Sequence, residues 1–87
     1  MSTREKLGEL LRGRRDAQGL TLLDVSTRVG CTVSFLCDVE HGRRRPGMQT
    51  TEKLADALGV PSHELLTRLL QERLDDDGLH YRVTVRR

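Results

Sequence analysis

Three consecutive arginines, Arg43, Arg44 and Arg45, close the stretch GCTVSFLCDVEHGRRRP and stand directly before Pro46. A guanidinium is permanently charged and offers a planar fork of donors that matches a phosphate or a guanine edge. Without a fold to place them, three such residues read by default as solvated loop arginines, so what they face depends on the elements around them. Other side chains capable of chemistry are sparse. Cys37 and His41 stand four apart and would share a helix face, but two ligands without a third do not make a zinc site, so no metal is expected. No nucleophile, base and orienting group recur at a matched spacing, and there is no glycine-rich phosphate cradle. Neither enzymatic activity nor a cofactor is expected. A helix starting just after Cys31 would place Cys31 and Cys37 badly for a bridge, so both are read as reduced thiols.

The charge is unevenly spread. Residues 1–46 carry nine Lys/Arg against six Asp/Glu, residues 47–78 three against seven, and residues 79–87 three against none. A basic end beside an acidic middle favours a directed encounter with a polyanion. The 87 residues are 36% hydrophobic and 32% charged, with Phe35 and Tyr81 the only aromatics. A core limited to Leu, Val and Ala suits packed helices in one small domain. No apolar run nears the roughly 20 residues that cross a bilayer. The polar start MSTREKLGEL is unlike a secretory signal, so a cytosolic address without membrane contact is expected.

The elements that would position these residues follow from periodicity. Leu7, Leu10 and Leu11 predict a helix over about 3–17, stopped near Gly19. Thr21 reads as the N-cap of a second helix, with Asp24 in its first turn, Leu22, Val25 and Val29 inward, and Gly30 at its end. Thr32 or Ser34 caps a third, with Leu36 and Val39 inward and Gly42 as terminator. Two short helices joined by a glycine turn form a helix-turn-helix, with small Ser26 at their close approach. Leu54, Ala55 and Leu58 mark a fourth helix. Ser62 is expected to cap a fifth, whose face of Leu65, Leu66, Leu69, Leu70 and Leu74 is wider than the core requires.

Beyond it, DDDGLHYRVTVRR changes period. Leu79, Tyr81, Val83 and Val85 alternate with polar residues, the signature of a strand. A lone strand leaves its main-chain groups unpaired, so the expected partner is the same segment of a second copy. The chain is thus divided into a helix-turn-helix domain over 1–74 and a dimerisation element over 75–87. Leu69, Leu70, Leu74, Leu79, Tyr81, Val83 and Val85 would form the contact. A basic tail without structure is the alternative.

The blocks LLRGRRDAQGLTL, DVSTRVG, SFLCDVEHGRRRP and KLADALGVPSHELL, in this order, resemble the Cro/repressor-type helix-turn-helix family over about Leu7 to Leu66. The resemblance implies an all-α, five-helix domain that lays its third helix in the DNA major groove. It implies an ion pair between Arg15 and Glu40 that ties helices 1 and 3, leaving Arg12 as the phosphate-contacting residue of helix 1. Its reading positions fall on Thr32, Val33, Ser34, Cys37, Asp38 and His41. Where many members carry Gln, Asn, Arg or Lys, this chain has Val33, suited to a thymine methyl, and Asp38, suited to a cytosine amino group. Phe35 matches a recurrent aromatic that either packs beneath the helix or reaches the sugar-phosphate surface. Leu22 stands where a phosphate-clamping Gln is frequent, which shifts that task to Thr21 and the start of helix 2. Arg43, Arg44 and Arg45 fall in the loop that the family holds against the DNA backbone or near the minor groove.

The function expected is that of a sequence-specific regulator of transcription, a repressor binding double-stranded DNA as a homodimer on a palindromic operator with half-sites about 34 Å apart. The alternative is an antitoxin-type interaction module, in which Leu69, Leu70, Leu74 and the strand mask a protein partner.

Overall fold

The computed structural model describes residues 6–79 and 81–86. Five helices follow one another: α1 (Leu7–Ala17), α2 (Leu22–Val29), α3 (Val33–Glu40), α4 (Met48–Leu58) and α5 (Ser62–Asp76). This is the all-α five-helix arrangement expected. Residues 3–5 of the first expected helix lie outside the described residues.

Local rules account for the helix-turn-helix. Thr21 Oγ1 accepts from the Asp24 N–H at 3.0 Å, and Asp24 Oδ2 accepts from the Thr21 N–H at 2.8 Å. This reciprocal capping box starts α2. Gly30, at φ +84°, takes the left-handed conformation that reverses the chain with two residues to spare before α3. Thr32 Oγ1 then caps α3 by accepting from the Phe35 N–H at 3.0 Å. Ser26 is buried and turns its hydroxyl back to the Leu23 carbonyl, leaving the inter-helix contact free of bulk.

One apolar core joins Leu7, Leu10 and Leu11 of α1 to Val25 and Val29, Leu36 and Val39, Leu54 and Leu58, and Leu65 and Leu69, with Phe35 packed at its margin. Leu69 is fully buried within this core and is not available to a second copy, contrary to its expected place in a dimer contact. Leu66, Leu70 and Leu74 are half-buried.

Two long-range contacts lock α1 to α3. Arg15 donates from Nε to Glu40 Oε2 at 2.7 Å, from Nη2 to Oε1 at 3.1 Å, and from Nη1 to the Leu20 carbonyl at 2.8 Å. The hydrogen bonds that Arg15 donates to Glu40 raise its pKa above the ordinary value. Gly8 lies against the end of α3. A Cβ there would stand 2.5 Å from the Val39 carbonyl oxygen and 2.6 Å from that of Glu40, so the main chains touch directly.

Three expectations change. The N-cap of α5 is Pro61, with no side-chain cap, and Ser62 is already the first helical residue. Helix α5 runs to Asp76, past the break expected after residue 74, and turns at Asp77 and Gly78. The expected strand over 79–87 does not form in the single chain. Residues 79 and 81–86 have no regular secondary structure, while residues 80 and 87 lie outside the described residues. A strand needs a second strand beside it, and in the single chain a side chain serves part of this main chain. Gln71 Nε2 donates to the Tyr81 carbonyl at 2.6 Å, and Gln71 Oε1 accepts from the Val83 N–H at 2.8 Å, which mimics one rung of a ladder.

Two stability outcomes follow. With the Glu40 side chain only 3% exposed, Arg15→Ala strands a buried carboxylate and should cost about 3–5 kcal/mol in urea denaturation. Gly8→Ala should also destabilise, by about 1–3 kcal/mol through overpacking. Its sign is the test, because Ala in an unobstructed helix would gain up to about 1 kcal/mol.

Candidate nucleic-acid interface

The outward side of α3 is set by what its inward side buries. Leu36, Val39 and Glu40 are spent inside, so Val33, Ser34, Cys37, Asp38 and His41 share the opposite face with the capping Thr32. Thr32, Val33, Ser34 and His41 are exposed, whereas Cys37 and Asp38 are half-buried. His41 Nδ1 lies 2.8 Å from the Cys37 carbonyl oxygen and 3.6 Å from Cys37 Sγ. Among the described residues no group of three or more His, Cys, Asp or Glu side chains is arranged to hold a metal ion. Cys31 sits apart at the core margin, where burial pushes its thiol pKa up.

The turn after α3 fixes where the arginines start. Gly42 at φ +75° closes a Schellman motif, with its N–H on the Val39 carbonyl at 3.1 Å and the Arg43 N–H on the Asp38 carbonyl at 2.8 Å. From there the three side chains diverge. Arg43 Nε donates to Asp38 Oδ1 at 3.0 Å. The Arg44 guanidinium stands 5.5 Å from the centroid of the Phe35 ring, a cation–π contact. Arg45 pairs with Asp76 at the end of α5. The three thus have different partners, Asp38 of α3, the Phe35 ring and Asp76 of α5, although all of them line the cleft between α1 and α5.

At the start of α2, the Asp24 carboxylate takes the Thr21 N–H, and the Thr21 hydroxyl takes the Asp24 N–H. The expected anion site is thereby narrowed to the N–H groups of Leu22 and Leu23, which have no partner within the helix. Leu22 is half-buried against the core, and Leu23 beside it is 64% exposed, a surface residue that periodicity did not single out. Arg12 on α1 is exposed, its Nε 3.8 Å from Asp16 Oδ2, a pairing too long and too wet to hold it.

Other positioning residues are invisible in a local reading. Lys6 caps α1 with no side-chain bond, and Glu72 of α5 does so instead, accepting from the Leu7 N–H at 2.7 Å. A carboxylate is favoured at that positive helix end. Asp76 takes Arg45, and Gln18 Nε2 ties α1 to the Leu58 carbonyl at 2.7 Å. The cleft between α1, the arginine loop and α5 is lined by Lys6, Arg43, Arg44 and Arg45 together with Glu9, Glu72 and Asp76, so cations and carboxylates meet there, and Arg45 pairs with Asp76. Of the residues expected at a dimer contact, Leu79 and Tyr81 are exposed, Leu70, Leu74, Val83 and Val85 are half-buried, and Leu69 is in the core. Among the described residues no helix is long and apolar enough to cross a membrane.

Comparison with known proteins agrees with this geometry. A family model described as a helix-turn-helix domain matches residues 6–69. The chain is 39% identical over 61 residues to the HTH-type transcriptional regulator DdrOP3 of Deinococcus deserti, covering 70% of this chain and 47% of that protein. It spans about half the length of the first curated relatives it matches. The fold matches the restriction-modification controller protein C.AhdI of Aeromonas hydrophila with a TM-score of 0.65 and 34% identity, over 68% of this chain and 89% of that one. It also matches SinR of Bacillus subtilis, the master regulator for biofilm formation, solved in complex with DNA, with a TM-score of 0.64 and 28% identity, over 69% and 97% of the two chains.

The capping box gives a pH signature. Hydrogen bonds from Thr21 hold the Asp24 pKa below its ordinary value of 3.8. A carboxylate with a depressed folded pKa contributes stability above its unfolded pKa and loses it as pH falls through the folded one. Asp24→Ala should therefore be less stable than the parent chain at neutral pH, and thermal melts of the two should converge as pH falls through the depressed pKa of the folded chain.

Proposed function

This chain belongs to the helix-turn-helix domain family, of the Cro/repressor type, and on that premise we propose that it regulates transcription by binding double-stranded DNA at a specific sequence. The observation that carries this reading is the solvent-facing side of α3, free of core duties and flanked by the arginine loop, on a fold shared with a regulator solved on DNA. In the bound state α3 lies in the major groove, and Thr32, Val33, Ser34, Cys37, Asp38 and His41 face base edges. Arg12, Thr21 with the open N–H groups of Leu22 and Leu23, Arg44 and Arg45 serve the phosphates. Arg45 must exchange Asp76 for phosphate to do so, a trade between two anions in solvent that costs little.

The same reading assigns a homodimer. Leu70 and Leu74 on α5, with exposed Leu79 and Tyr81 and half-buried Val83 and Val85, form an apolar margin that a second copy would cover. The dimerisation element then comprises the outer face of α5 and the segment from 77 onward. Repression is the outcome proposed, since occupying a promoter blocks polymerase without any further contact.

Fluorescence anisotropy with duplex from the chain's own upstream region tests the proposal. A dimer that neutralises about eight phosphates should show a log–log salt slope near −7. Equal affinity for that duplex and for random sequence at moderate salt would remove sequence-specific regulation from consideration.

A further inference from the structure

We propose that Arg43 is a base-reading residue rather than a phosphate clamp, that Asp38 positions it, and that the pair selects a guanine in each half-site. This rests on the DNA-binding reading above and adds the base class that the site prefers.

The outward face of α3 poses the problem. None of Thr32, Val33, Ser34, Cys37, Asp38 and His41 offers the two parallel donors that grip guanine O6 and N7. Asp38 also sets a carboxylate on the surface that must approach a polyanion. Arg43 resolves both difficulties. Its Nε donates to Asp38 Oδ1 at 3.0 Å, while its main-chain N–H binds the Asp38 carbonyl at 2.8 Å, so backbone and side chain are pinned to the same residue. The ion pair cancels the charge of Asp38. It engages only Nε and leaves the Nη1 and Nη2 fork without an acceptor among the described residues.

The direction of that fork distinguishes bases from backbone. Asp38 lies on the same helical face as Ser34 and His41, so the brace ties the Arg43 guanidinium to that face, even though the residue also lines the cleft beside α1 and α5. Arg44 and Arg45 are directed elsewhere, to Phe35 and to α5. The Arg43 side chain is 60% exposed and that of Asp38 34%, so the brace is at the surface, where it adds little to folding stability. Its value lies in pre-organisation. A long side chain held before contact surrenders less rotamer freedom on binding, and the planar fork tolerates only acceptors in its own plane.

The test uses the full chain. A binding site is selected from random duplex, and affinity is then compared, at one salt concentration, between that site and versions with each G·C pair changed to A·T. The ratio cancels any uniform change in phosphate affinity. For the parent chain one G·C pair per half-site should be worth about tenfold or more. Arg43→Lys keeps the charge but not the fork, and should reduce that ratio to about twofold or less. Asp38→Ala should reduce it about threefold through lost positioning, with thermal stability unchanged, and Asp38→Asn, which retains an acceptor at Oδ1, should restore most of it. Unchanged discrimination in either Arg43→Lys or Asp38→Ala overturns this inference alone, leaving the regulator reading in place. A parent chain that selects no sequence overturns both.

Discussion

The bidentate contact between Arg15 and Glu40 is the constraint on which the geometry of the outward face of α3 depends. Glu40 is the last residue of α3 and would otherwise be a buried anion beside the negative end of its own helix, where both burial and the macrodipole oppose its charge. Arg15 answers that cost with two hydrogen bonds and uses a third on the Leu20 carbonyl, so one guanidinium spans α1, the α1–α2 turn and α3. A buried pair of this kind contributes less to net stability than to specification of one arrangement. Here the arrangement specified is the roll of α3 about its axis. Gly8 sets the remaining degree of freedom, since the missing Cβ lets α1 seat directly on the Val39 and Glu40 carbonyls. An apolar core alone would permit α3 to rotate by part of a turn; an ion pair and a main-chain contact at the same helix end do not.

Against that rigid base the arginine loop is electrostatically divided. Each of its three cations has a different partner: a carboxylate on α3, an aromatic ring at the margin of that helix, and a carboxylate on α5. Asp75, Asp76 and Asp77 crowd the negative end of α5, an unfavourable position for acids. Arg45 and Gln71, whose Nε2 donates to Asp75 Oδ1 at 3.1 Å, offset part of that cost. The acidic middle of the chain is thereby folded back on its basic start. A loop of three unpaired arginines would hold any polyanion by charge alone, whereas partial internal neutralisation weakens indiscriminate attraction and leaves more of the binding to fit.

What was legible in the sequence followed interaction range. The five helices, the Thr21 and Thr32 caps and the glycine stops are encoded within windows of a few residues, because a cap and its N–H partner are three positions apart. The membership of the α3 outer face was equally plain, since it is the complement of Leu36 and Val39. The contacts that aim the site were not. Glu72 caps α1 from 65 positions away, Gly8 meets Val39 and Glu40 across the fold, and Arg45 finds Asp76. None of these leaves a periodic trace. Leu69 was assigned outward because a single helix with a broad apolar face does not reveal which part of that face its own core consumes. The segment after α5 was read as a main chain in need of partners, and in the single chain Gln71 meets part of that need, because a glutamine amide carries the same donor and acceptor pair as a peptide group.

These long-range ties converge on the second half of α5. Within six residues, Gln71 holds the C-terminal segment, Glu72 holds the start of α1 and Asp76 holds the arginine loop. The element that carries the apolar margin is therefore coupled through short polar contacts to the helix that braces α3 and to the loop that follows it. In the dimer proposed above this matters for spacing. Two reading helices can match half-sites one helical turn apart only if the path from dimer contact to reading surface is stiff. An apolar interface fixes where two copies meet but tolerates rotation, whereas hydrogen bonds from one helix to three separate segments do not. In that proposed dimer the acidic end of α5, with Gln71, would be the joint between assembly and recognition, and its polar residues, more than its leucines, would set the distance at which two copies read a duplex.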